Sequence, residues 1–269
     1  MTTPTISAPP VPVLFDCETA DRLTADQLTR LAQGSLGSLR IRNFFSAEQC
    51  TEIMRSLQTC PMGSYDEQLV QPRIAKLGPA AYDFYGQGRL REEYWDHAAQ
   101  SARTRSTLLH GADPLTAALD TIRDAWGEAV LPASSGGKEM FAGMIREINH
   151  GARMHFDEVV REFTGILDQQ PIAQLAFNCH LSTPAGGGEA VAYRRRWSPH
   201  DEDHRQGYGY DPALVAHEPR VSVRAALGDA VLFDPRNYHL VRPVHGGGRR
   251  VTLSFFIAVT ARGPIFAWS

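Results

Sequence analysis

Helix-forming patterns crowd the first half of this 269-residue chain and strand-forming patterns the second. That order excludes the β-α-β alternation from which parallel, doubly wound sheets are built. Leu23, Leu28 and Leu31 give Asp21 to Gln33 a helical stripe. Ser46 with Gln49 three residues on forms a capping box, and Cys50, Ile53, Met54 and Leu57 continue it at i, i+3, i+4, i+7. Pro114 opens a third helix that runs to Trp126. Beyond the loop PASSGGK (Pro132 to Lys138) the texture changes. Short apolar runs between Gly and Pro predict strands at Met140–Ile148, Ile172–Leu181, Glu189–Tyr193, Arg220–Val223, Ala230–Phe233, His239–Val244 and Arg250–Thr260. The chain therefore reads as one domain over residues 1–269. An extended arm occupies 1–20, a mostly helical buttress 21–137 and a mainly-β sandwich or barrel 138–269.

Composition narrows the function classes. A formal net charge of -3 gives no electrostatic footprint for nucleic acid or an anionic membrane. No apolar run approaches the roughly 20 residues a spanning helix requires. Cys17, Cys50, Cys60 and Cys179 form no C-x-x-C pair, so reduced thiols in a cytoplasmic protein are expected. These features point to a small-molecule substrate, and they leave the oligomeric state open.

A metal that must activate dioxygen (O2) needs protein ligands on one side and open positions opposite, which two imidazoles and a carboxylate provide. His155 and Asp157, at i and i+2 in extended chain, leave the backbone on the same side, and His239 can approach from another strand. With ten histidines and 30 acidic residues, about one H-x-[DE] arises by chance. His200-Asp201-Glu202 is a second match. It lies in the polar stretch 194–218, where a solvated charge cluster is the expected reading.

The string LFDPRNYHLVRPVHGGGRRVTLSFFIAV carries a second signal. A histidine opens one strand, a glycine turn follows, and arginines open the next. A guanidinium there can hold a carboxylate through two parallel hydrogen bonds. Strand parity favours Arg250, which shares a face with Thr252 and Ser254, over Arg249, which shares one with Val251, Leu253 and Phe255.

The order HFD, QLAFNCHLSTPAGGGEAVAYRRRW, GDAVLFDPRNYHLVRPV and RRVTLSFFIAV closing on AWS resembles a bacterial family of Fe(II)/2-oxoglutarate oxygenases. That family includes the N-acyl amino acid hydroxylase SadA and the welwitindolinone-type aliphatic halogenases. The resemblance covers residues 138–269 well and the N-terminal part more loosely. It implies a double-stranded β-helix (jelly-roll, cupin-like) core buttressed by helices. It also implies Fe(II) on His155, Asp157 and His239, and 2-oxoglutarate bridged to Arg250. In the halogenases a small residue replaces the carboxylate and admits chloride; Asp157 is intact here, which implies hydroxylation.

Thr252 and Asn178 are the further candidates for the co-substrate. Arg73 and Trp197 are candidates for the substrate, with Tyr208 and Tyr210 as parts of a lid. Arg153 reads as a charge behind the triad or one half of a structural ion pair, and Trp268 as a cover or a packing residue. The arginines suggest a small acid-bearing substrate such as a free or N-acylated amino acid. Two other readings remain: a cupin-like metal enzyme that does not use 2-oxoglutarate, and a non-catalytic β-sandwich binding module.

Overall fold

The computed structural model describes residues 14–261 and 263–269. The arm predicted for the N-terminus lies outside the described residues as far as residue 13, and its last five residues form a strand. In chain order the elements that matter are β1 (Asp16–Ala20), α1 (Ala25–Ala32), β2 (Leu36–Ile41), α2 (Ala47–Leu57), β3 (Ala75–Leu77), α3 (Glu93–Arg105), α4 (Pro114–Trp126), β4 (Met144–Glu147), β5 (Ala152–His155), α5 (Val159–Glu162), β6 (Ala173–Ser182), β7 (Ala190–Arg196), β8 (Arg220–Val223), β9 (Ala230–Phe233), β10 (Asn237–Val241), β11 (Val251–Val259) and β12 (Ile265–Trp268).

The helix signals fall where their chemistry dictates. The Ser46 hydroxyl accepts from Gln49 N at 3.2 Å while the Gln49 side chain accepts from Ser46 N at 2.8 Å, so α2 starts on a closed capping box. Thr24 and Gln27 repeat the device on α1. α4 begins at Pro114 behind Asp113, whose carboxylate accepts from Leu115 N.

Strands form two sheets. The larger runs β1-β2-β9-β6-β11-β4-β3, with β12 beside the far end of β11. The smaller runs β5-β10-β7-β8. All these neighbours are antiparallel except β1 and β2. The first half of the chain thus supplies strands β1, β2 and β3 as well as helices. Their brevity hides them in a sequence where helix periodicity dominates.

Parity sorts the large sheet into two chemically different faces. Leu175, Phe177 and Cys179 of β6 join Val251, Leu253, Phe255 and Ile257 of β11 in one core, closed by Leu28 and Leu31 of α1, Ile53 and Leu57 of α2, and Leu115 and Ile122 of α4. Phe177 and Phe255 stack with centroids 4.6 Å apart. The alternate residues look toward the small sheet. Part of the space between the sheets is filled by Phe15, Ala176, Ala192, Val221, Val231 and Phe233. The rest is a cavity.

Candidate metal and co-substrate site

His155 ends β5, and His239 faces it as its register partner on β10. Asp157 lies two residues beyond, its amide donating to Pro235 O at 2.9 Å. The Asp157 Oδ2 atom stands 3.4 Å from His239 Nε2 and 3.8 Å from His155 Nε2. The ligand-capable atoms of all three residues lie within 4.8 Å of one another, and the three residues line one cavity of about 160 Å³.

Both imidazoles are already oriented. The Nδ1 atoms of His155 and His239 lie 2.7 and 3.0 Å from the carbonyls of Arg153 and Asn237. A carbonyl only accepts, so each Nδ1 carries the proton and each Nε2 lone pair points to the carboxylate. Burial, and then the neighbouring His239, hold the His155 imidazole down to about 4. Burial would raise the Asp157 carboxyl, but His155, His239 and Arg146 together bring it down to about 2. Neutral imidazoles and an ionised carboxylate are the states a divalent metal requires of its ligands. The donor set fits Fe(II).

Arg250 lies across the cavity, immediately before β11, 2% exposed. Its Nε donates to Gly188 O at 3.0 Å, its Nη1 has no hydrogen-bond partner, and no carboxylate pairs with it among the described residues. Gly188 is needed there, because it sits at φ +75° and a Cβ would come 3.2 Å from Arg250 Cδ. Burial, and then the nearby Arg146, bring the Arg250 guanidinium down to about 9, so it stays charged at neutral pH. A buried cation with an unmatched N–H fits a carboxylate ligand. Arg249 points the other way, onto Glu147 at 2.5 Å, as parity required.

Other predicted residues separate into cavity wall and scaffold. Asn178 lines the cavity, its Oδ1 accepting from Ser254 Oγ at 2.9 Å and Arg146 Nη2 at 3.2 Å. Thr252 lies one layer back, 2.9 Å from Ser254 Oγ, and does not reach the cavity wall. Tyr208 and Trp268 line the cavity. Arg73 does not: it is exposed and paired with Glu67 at 2.9 Å, because its segment runs along the surface. Trp197 is also off the wall, donating to Glu202 at 2.7 Å under the Arg161 guanidinium. Tyr210 is buried, with its hydroxyl on Glu202. Among the described residues Arg153 forms no ion pair, and it donates instead to Gln206 O. Asp201 of the competing H-x-[DE] match is not solvated but buried, held by Arg195 and the Tyr238 hydroxyl.

Sequence reasoning passed over Arg146, Gln174, Tyr82, Glu162 and Arg205, all of which line the cavity. Parity alone could have found Arg146, which pairs with Thr252 across the ladder. Burial, and then the Asp157 charge, push the Glu162 carboxyl up to about 8.

A chain built this way carries two histidines and a carboxylate that face an unpaired, buried guanidinium across one cavity. It belongs to the family described as “Carrier-protein-independent halogenase WelO5”, which it matches over residues 13–269. It is 39% identical over 259 residues to the L-gamma-glutamyl-L-propargylglycine hydroxylase of Streptantibioticus cattleyicolor, covering 95% of this chain and 96% of that one. Its fold is similar to that of an N-substituted L-amino acid dioxygenase from Burkholderia ambifaria (TM-score 0.60, 12% identity, 91% of each chain covered). The structure of that dioxygenase with alpha-KG aligns with a TM-score of 0.56 at 13% identity, again over 91% of each chain. Within a family named for halogenation, this chain keeps the carboxylate of Asp157 beside its two histidines, and the relative from Streptantibioticus cattleyicolor is named a hydroxylase. No helix among the described residues is long and apolar enough to cross a membrane.

Proposed function

We propose that His155, Asp157 and His239 hold Fe(II) on one side, and that Arg250 anchors the far carboxylate of 2-oxoglutarate, with Asn178 and Ser254 beside it. The reaction is hydroxylation of an unactivated sp3 carbon in a small acid-bearing amino acid derivative. The observation that carries this reading is Arg250: a buried guanidinium with no carboxylate partner among the described residues, facing the three candidate ligands across one cavity. When bound, iron and 2-oxoglutarate supply the oxidising equivalents with O2.

The chain's own residues do the rest. The Arg153 and Asn237 carbonyls fix the two imidazoles, and Thr252 steadies the Ser254 hydroxyl. Phe156, Phe163, Phe256 and Trp268 give the cavity an apolar lining that excludes water from the reacting carbon. Asp157 occupies the position a chloride would need, and its negative charge disfavours an adjacent anion. The relative from Streptantibioticus cattleyicolor acts on a γ-glutamyl amino acid, that is, an amino acid acylated on its nitrogen. A substrate of that size, free or N-acylated, suits this cavity. Four free thiols suit a reducing cytoplasm.

The test is incubation of free and N-acylated amino acids with Fe(II), 2-oxoglutarate, oxygen and excess chloride, read by mass spectrometry. Gain of one oxygen is expected. A chlorinated product, or turnover indifferent to 2-oxoglutarate, would overturn the reading.

A further inference from the structure

The cavity wall carries an acid as well as bases. Glu162 ends α5, the short turn that follows the H-x-D strand, and faces the cavity together with Tyr82, Phe163 and Arg205. One of its oxygens accepts from Glu158 N at 2.8 Å and closes the turn. The carboxylate has no salt bridge among the described residues. Arg205 is near enough to act on it electrostatically. The guanidinium is nevertheless committed elsewhere, to Gly207 O, Glu202 and the Tyr210 hydroxyl. Tyr82 feels both charges and meets Phe163 edge to face with centroids 6.4 Å apart. Turned into a largely apolar cavity with no cation on it, this carboxyl holds its proton more firmly than usual, and a ligand that brings a cation draws it into the ionised form. Aromatic rings beside it favour the same sign of ligand.

We propose that Glu162 binds the free ammonium of the substrate, so that the cavity reads an unblocked amino group. This rests on the hydroxylase reading and makes it more specific. An acylated nitrogen is tolerated only at the end of the substrate that lies away from Glu162. A γ-glutamyl amide meets this demand, because its glutamyl part keeps the ammonium. An acetylated amino acid does not.

Two pairs of probes test it: L-γ-glutamyl-L-norvaline against glutaryl-L-norvaline, which lacks only the amino group, and L-norvaline against N-acetyl-L-norvaline. Each is titrated calorimetrically, without oxygen, into protein supplied with Fe(II) and 2-oxoglutarate. At least one amine-bearing probe is expected to bind about ten- to a hundredfold more tightly than its partner, the range of a hydrogen bond to a charged group. Glu162→Gln should abolish that preference. Glutamine can still accept from Glu158 N, so the turn survives and only the charge is lost. Equal affinities within both pairs, a preference that persists in Glu162→Gln, or binding by neither amine-bearing probe would overturn the proposal. The visible charge-transfer band of the Fe(II)·2-oxoglutarate complex is recorded separately. Its absence would sink the oxygenase reading, while the titration still decides, independently, whether Glu162 recognises an ammonium.

Discussion

At the scale of single residues, neighbours in sequence have opposite fates. Arg249 and Arg250 differ by one step of the pleat, and that step sends one guanidinium to Glu147 at the surface and the other into the cavity. Arg250→Ala should raise the 2-oxoglutarate concentration needed for half-maximal turnover by two orders of magnitude or more, since losing a partner from a buried charge pair costs roughly 3–5 kcal/mol. Arg249→Ala should leave that requirement within about twofold and cost under about 1 kcal/mol in stability, as exposed pairs do. The reverse ranking in steady-state kinetics would mean that the inward face has been misassigned. His155→Ala and His239→Ala should each abolish succinate formation. Retention of wild-type succinate yield by either variant would remove that histidine from the metal set.

At the scale of elements, legibility followed the strength of the local signal. α2 and α4 could be read because capping chemistry is local: Ser46 with Gln49, and Asp113 before Pro114. β8 and β9 could be read from bounded apolar runs, and Arg250 from the parity of the strand it leads into. α3 was missed because its buried face rests mainly on Tyr94 and the aliphatic part of Arg105, a stripe too sparse to show as periodicity. Arg73 and Trp197 were misplaced because whether a loop side chain faces a cavity depends on contacts far away in sequence. The 194–218 stretch shows this well. It folds into two 3-10 turns and a small hairpin, pinned by buried Asp201 to Arg195 and Tyr238. Asp201→Ala should therefore speed hydrogen exchange at residues 199–210 well before it lowers the protection of β6 and β11. Uniform loss of protection across the chain would show that the pin belongs to the global core instead.

At the scale of the whole molecule, the helices buttress one face of the large sheet and leave the other to meet the small sheet across the cavity. On that inner face Arg146 and Arg250 act on each other as like charges, and neither has a carboxylate partner among the described residues. The chain thus folds against a local repulsion that a bound anion would relieve, and on the proposed reading the co-substrate doubles as a stabilising ligand. By mass action, 2-oxoglutarate at a hundred times its dissociation constant should add about 2.7 kcal/mol. Its effect on Tm should exceed that of equimolar chloride and fade in Arg250→Leu. That same variant, freed of a buried unpaired charge, should melt higher than the wild type when no anion is present. A protein of this design is sturdiest when its co-substrate is abundant, so its survival in solution and its readiness to react rise and fall together.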